Sequence, residues 1–127
     1  MSDTLSTASV ARLAADLAVD RKAADIVILD LSNLSSITDY FVICTGRSDI
    51  HVRAICERVD EGMRGAGQSR LSAEGVESGQ WALLDYGDIV VHVFQHASRE
   101  LYDLERLWSQ APHWTYEAGS AIEQSQA

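Results

Sequence analysis

Four sets of residues in this chain have types and spacings that could do chemistry. Gly46-Arg47-Ser48 stands where a β-strand pattern gives way to a helix pattern, the place where backbone N–H groups can hold a phosphate. A phosphate loop needs further glycines and a lysine at fixed spacing, and neither GxxxxGK nor GxGxxG is present, so the triplet reads as a strand end followed by an N-cap. His92 and His96 are four apart, but His92 falls in a strand pattern and no third ligand accompanies the pair, so His92 is expected to be a half-buried structural histidine and no metal is expected. His51 and His113 have no nearby group to form an acid–base pair with.

Asp85 and Asp88 flank a turn, where carboxylates ordinarily accept hydrogen bonds from the local backbone. They could hold magnesium only with phosphates and basic groups around them. Ser35, Ser36, Thr38 and Asp39 cluster in a loop without a histidine to activate a nucleophile. Cys44 and Cys56 are isolated, without the CxxC spacing of a zinc or redox site, and sit in apolar settings that suit buried thiols. No cofactor and no catalytic constellation is expected. Trp81 is of another kind: it opens a short strand and could serve as core or as the anchor of an interface, since tryptophan is enriched among binding hot spots.

These residues must be positioned by a small set of elements. Val10, Leu13, Ala14, Leu17 and Ala18 form one stripe of an amphipathic helix between Ser6 and Arg21, with Ser6 as N-cap. Asp25–Asp30 is apolar on both faces, as a strand covered on both sides would be, and Tyr40–Thr45 is a second strand ended by Gly46. Ser48 caps a second helix with Val52, Ile55, Cys56, Val59 and Met63 on its buried face. Five of the eight glycines lie between Gly62 and Gly79, which marks a flexible connection inside the domain.

Gln80–Asp85 and Asp88–Phe94 read as a hairpin around a Tyr86-Gly87 turn, with Trp81, Leu83 and Asp85 on one face and Ala82 and Leu84 on the other. The Asp85 end must reach solvent, so the Trp81/Leu83 face is expected to be only partly covered. A third helix is predicted over His96–Trp108, with Pro112 beyond it. From Thr115 the chain is small and polar and is expected to be a disordered tail, leaving one domain over residues 1–114 and a tail over 115–127.

The 127 residues suffice for one α/β (α+β) domain with a mixed sheet flanked by helices. Nineteen acidic against ten basic residues give a net charge of −9, which argues against direct nucleic-acid binding and favours a basic partner. No apolar run is long enough to span a membrane, and no basic region followed by an apolar stretch opens the chain. A reducing, cytoplasmic setting follows as the expectation.

Ser36-Ile-Thr-Asp-Tyr-Phe-Val-Ile-Cys-Thr-Gly46, Ser48-Asp-Ile-His-Val52, Glu74-Gly75, Trp81, Leu84-Asp-Tyr-Gly-Asp-Ile-Val-Val-His-Val-Phe94 and Arg99-Glu-Leu-Tyr-Asp-Leu-Glu-Arg-Leu-Trp108 together resemble the ribosome silencing factor, or Iojap-like, family, in one collinear order from about Ala8 to Pro112. The resemblance implies a nucleotidyltransferase-like topology without the catalytic carboxylates, and hence no enzyme. It implies binding to the large ribosomal subunit through ribosomal protein L14, a steric block to small-subunit joining when nutrients are short, and a homodimer when free. Carried over by motif, Trp81, Leu83 and Tyr86 would be apolar anchors, with Asp85 and Asp88 as acidic neighbours. Arg47 and His96 depart from the residues usual in the family at those positions. The rival implication is a nucleotide-dependent transferase that kept the ancestral chemistry, against which Asp60 and Glu61 stand in a helix pattern instead of alternating on a strand.

Overall fold

A computed structural model describes residues 6–117 and the backbone of 120–125. Its elements in chain order are α1 (Thr7–Val19), β1 (Ala24–Asp30), β2 (Tyr40–Gly46), α2 (Asp49–Gly65), β3 (Ser72–Glu74), β4 (Trp81–Asp85), β5 (Ile89–Gln95), α3 (His96–Tyr102), α4 (Leu104–Leu107), β6 (His113–Glu117) and β7 (Ser120–Ser125). All seven strands lie in one sheet of order β3-β4-β5-β2-β1-β6-β7. Only β2 and β5 run parallel; the other neighbours are antiparallel. The architecture is the mixed, helix-flanked α+β sheet read from the sequence.

Both long helices start as their caps dictate. The Ser6 hydroxyl accepts from the Ser9 N–H, and the Ser48 hydroxyl accepts from the His51 N–H, each satisfying an amide that the first helical turn leaves unpaired. Val10, Ala14, Leu17 and Ala18 of α1 and Val52, Ile55, Cys56, Val59 and Met63 of α2 are buried together with Ile26, Ile28, Val42, Cys44, Val91 and Val93 of the sheet, forming the larger core on one face. The opposite face carries a smaller core of Leu29, Leu31, Ile43, Phe94 and Ala111, against which Phe41, Trp81, Leu104 and Trp108 are only partly buried. Cys44 and Cys56 are free and buried.

Four local expectations are corrected. The glycine-rich connection holds a short edge strand, β3, whose three exposed residues carry no apolar alternation that could have marked it. The hairpin turn lies at Gly87-Asp88 instead of Tyr86-Gly87, because the Tyr86 N–H donates to the Ile89 carbonyl and extends the pairing by one residue; Gly87 takes φ +91°. The helix expected over His96–Trp108 breaks at Asp103, which adopts φ 48°, ψ 53°. Finally, residues 115–117 are no tail: β6 pairs with β1, Tyr116 is buried, and its hydroxyl donates to Asp16 at 2.7 Å. Tyr116, with Trp114 partly buried beside it, packs on the larger core and docks the strand, although two aromatics among polar residues are a weak strand signal. For residues 118, 119, 126 and 127 the expected disorder lies outside the described residues.

Candidate functional site

The hairpin β4–β5 presents Trp81, Leu83 and Asp85 to the less-covered face, while Ala82 and Leu84 are buried in the larger core. This alternation is the one expected, and so is the partial cover. Trp81 pairs in register with Phe94 and stacks on it at a centroid distance of 5.0 Å; Tyr102, half-exposed on α3, lies against it at 4.5 Å. Its indole Nε1–H donates to His92 Nδ1 at 3.1 Å. Trp81 is therefore core and surface at once.

Beside it opens an apolar cleft of about 210 Å³, lined by the Leu31–Thr38 loop, Phe41 of β2, Leu83 and Asp85 of β4, Val90 and His92 of β5, and Trp108. Phe41 meets His92 and Trp108 edge-on, at centroid distances of 4.4 and 6.2 Å. Ile37 in its lining is 87% exposed. Asp85 is the one charged residue in the lining, and its Oδ1 accepts from the Gly87 N–H, the local turn role that its position predicts.

His92 is fully buried instead of half-buried, and burial pushes its pKa down to about 4, so the ring is neutral at physiological pH. Because Nδ1 accepts from Trp81, the proton belongs on Nε2. That Nε2 and the Thr38 hydroxyl are buried without a hydrogen-bond partner among the described residues. Sequence reasoning passed over both as residues of this cleft. The one signal for His92 was a histidine inside Ile89-Val-Val-His-Val-Phe94, a run apolar on both faces.

Of the proposed anchors, Tyr86 is misplaced. It is buried on the α2 face and its hydroxyl donates to Asp60 Oδ1 at 2.8 Å, so it presents no exposed ring; one residue past the strand end, it continues the Ala82/Leu84 side. Asp88 is exposed at the turn, and its carbonyl accepts from the Asp39 and Tyr40 N–H groups, joining the turn to the start of β2.

The other candidate chemistry is taken up structurally. The Arg47 N–H, which a phosphate loop would aim at an anion, donates to His51 Nδ1 at 2.8 Å, while His51 Nε2 meets the Arg21 carbonyl at 2.6 Å. His51, expected to have no acid–base partner, is held by these two backbone groups. His96 pairs with Glu100 at 3.3 Å, away from His92, which lies in β5. Among the described residues no three His, Cys, Asp or Glu side chains are grouped to hold a metal, and no helix is long and apolar enough to cross a membrane.

The fold and this half-open apolar face define an α+β domain of mixed sheet with helices on both sides and a cleft framed by aromatic residues. The chain belongs to the ribosomal silencing factor family: the family model described as "Ribosomal silencing factor during starvation" matches residues 4–127. It is 40% identical over 104 residues, 82% of this chain and 88% of the other, to the Bacillus subtilis protein named Ribosomal silencing factor RsfS. A crystal structure of a Chromobacterium violaceum protein superposes with a TM-score of 0.81 at 34% identity, covering 94% of this chain and 95% of that one. A mouse relative, 30% identical over 68% of this chain and 40% of its own, is named Mitochondrial assembly of ribosomal large subunit protein 1.

Proposed function

We propose that this chain binds the large ribosomal subunit through ribosomal protein L14 and sterically blocks joining of the small subunit, lowering translation under nutrient limitation. The observation that carries the reading is the half-covered aromatic face of Trp81, Leu83, Phe41 and Trp108, edged by Asp85 in a chain of net charge −9. Apolar anchors with an acidic edge suit a basic partner surface, because the aromatic area supplies affinity while charge of opposite sign guides encounter. The family's link to starvation supports the nutrient-limited setting, and the mouse relative's name supports the large subunit as target and a part in ribosome biogenesis. Trp81 and Leu83 are the anchors, and Asp85 and Asp88 face basic groups of the partner.

The acting protein is cytoplasmic and non-enzymatic, and pairs as a homodimer when free; this part rests on the family resemblance. Sucrose-gradient sedimentation of purified ribosomal subunits is the test. The expected result is loss of joined ribosomes, with the protein co-sedimenting with the large subunit. Undiminished joining, or co-sedimentation with the small subunit alone, overturns the reading.

A further inference from the structure

The less-covered face carries an apolar surface that the fold itself does not cover. Phe41, Leu83, Val90 and Trp108 line the cleft beside Trp81, and Ile37 continues that lining out to solvent, 87% exposed. A lone exposed aliphatic residue needs no explanation, but one joined to an open apolar cleft makes a contiguous patch. The loop that carries Ile37 is tied down. The Leu31 N–H donates to the Asp39 carbonyl at 2.7 Å, the Ser35 N–H to the Leu31 carbonyl at 2.9 Å, and the Ile37 N–H to the Ser35 hydroxyl at 3.1 Å. The backbone at Ile37 is thus held before anything binds, so little ordering entropy opposes burial of its side chain by a partner.

What the cleft offers defines its occupant. The unpaired His92 Nε2 and Thr38 Oγ1 are sealed from solvent and give an occupant nothing to bond. About 210 Å³ is below the ~300–1,000 Å³ of small-molecule sites and suits one side chain. The end of the cleft at the hairpin turn is acidic: Asp85 is the only charged residue of the lining, and Asp39 follows Thr38. Asp88 is joined to that segment, its carbonyl accepting from the Asp39 and Tyr40 N–H groups at 3.0 Å each. None of these three carboxylates is in an ion pair among the described residues. A second copy of a chain of charge −9 brings like charge to this end, whereas a basic segment brings the opposite one. We infer that the cleft seats one aliphatic side chain of a basic partner segment, with Ile37 packing against it from the loop and a Lys or Arg of the same segment meeting Asp85. The inference rests on the docking reading above and deepens it: the anchor set extends from the hairpin onto the loop over residues 31–39, and Ile37 helps to decide which partner fits.

Substitutions at Ile37 test it, because a side chain this exposed can be changed with little effect on folding. Ile37→Leu, Ile37→Ser and Ile37→Lys should all melt at the parent's temperature. The dissociation constant for purified large subunits should stay near the parent's in Ile37→Leu and rise about tenfold in Ile37→Ser through lost apolar contact. It should rise further in Ile37→Lys, where a cation faces a basic partner. The Ile37 δ-methyl resonance should shift when isolated L14 is added and stay in place as the protein's own concentration is raised. The inference is overturned, and the docking reading left standing, by parental binding of Ile37→Ser, by Ile37→Lys binding no more weakly than Ile37→Ser, or by a methyl resonance unmoved in the L14 complex. A shift driven by the protein's own concentration makes the occupant a second copy, which also overturns it. Failure of the parent protein to bind large subunits overturns both.

Discussion

Trp81 and His92 are joined by an indole N–H to imidazole Nδ1 hydrogen bond of 3.1 Å, on the diagonal between the β4–β5 pairs Trp81/Phe94 and Leu83/His92. The bond lets a half-buried tryptophan dictate which nitrogen of a fully buried histidine carries the proton. It thereby couples the exposed aromatic face to the wall of the cleft.

Trp81→Phe keeps the stack on Phe94 and Tyr102 but strands His92 Nδ1. It should cost about 1–2 kcal/mol in urea denaturation, the penalty of a newly unpaired buried acceptor. Trp81→Ala also loses ring packing and should cost about 3 kcal/mol, the low end for a core tryptophan, since this one is half-covered. If the two variants are equally stable, the hydrogen bond and not the stacking holds the indole in place.

Acid should weaken the fold through His92. The denatured chain takes up this proton from about pH 6.5 downward, whereas the folded protein resists until about 4. The contribution is complete above 6.5 and falls by up to about 3 kcal/mol as the pH approaches 4. Comparing urea midpoints of the parent and His92→Phe between pH 7 and 4.5 isolates it, and the variant should show the shallower decline.

Alkali should act through Tyr116, whose pKa burial and the hydrogen bond to Asp16 push up to about 12. The folded state favours the protonated phenol, so this stability is complete below about pH 10 and is lost as the pH rises toward 12. Tyr116→Phe should flatten the decline. An unchanged alkaline limb would mean that β6 is not docked in solution.

Gly62 sits where α2 passes α1. A methyl there would lie 2.3 Å from Leu17 Cδ2 and 3.0 Å from its Cγ. Gly62→Ala gains helix propensity but overpacks a buried contact, and should be net destabilising by about 1–2 kcal/mol in thermal or urea unfolding.

Arg99 spans the break between α3 and α4: it forms two bonds with Glu105, at 2.9 and 3.1 Å, and donates to the Asp25 carbonyl at 2.7 Å and the Thr45 hydroxyl at 2.8 Å. Arg99→Lys cannot reproduce this fork and should cost about 2 kcal/mol. Near-ultraviolet circular dichroism should change as well, as Trp108 follows the loosened α4.

Elements with repeated, short-range patterns are legible in residue order alone. The Val52–Met63 stripe, the Ser6 and Ser48 caps and the Trp81/Ala82 alternation are local consequences of helix and strand periods, so the order of neighbours suffices to place them. The α3–α4 break is hidden there because Asp103 is held in its left-handed conformation beside an Arg99–Glu105 clasp that reaches β1 and β2, which no window of neighbours contains. β3 and β6 escape for a related reason: each is short, β3 without apolar residues that alternate and β6 with only two aromatics, and each becomes a strand because an edge of the sheet awaits it.

The candidate site divides along the same line. Residue order determined the acidic charge, the family motifs and the placing of Trp81, Leu83 and Asp85 on one face. Only the tertiary structure turned Tyr86 inward and brought Thr38, Phe41, His92 and Trp108 around one cleft. The neighbours Thr38 and Phe41 are far in the chain from His92 and Trp108, and hydrogen-bond satisfaction can be judged only when every neighbouring atom has a position.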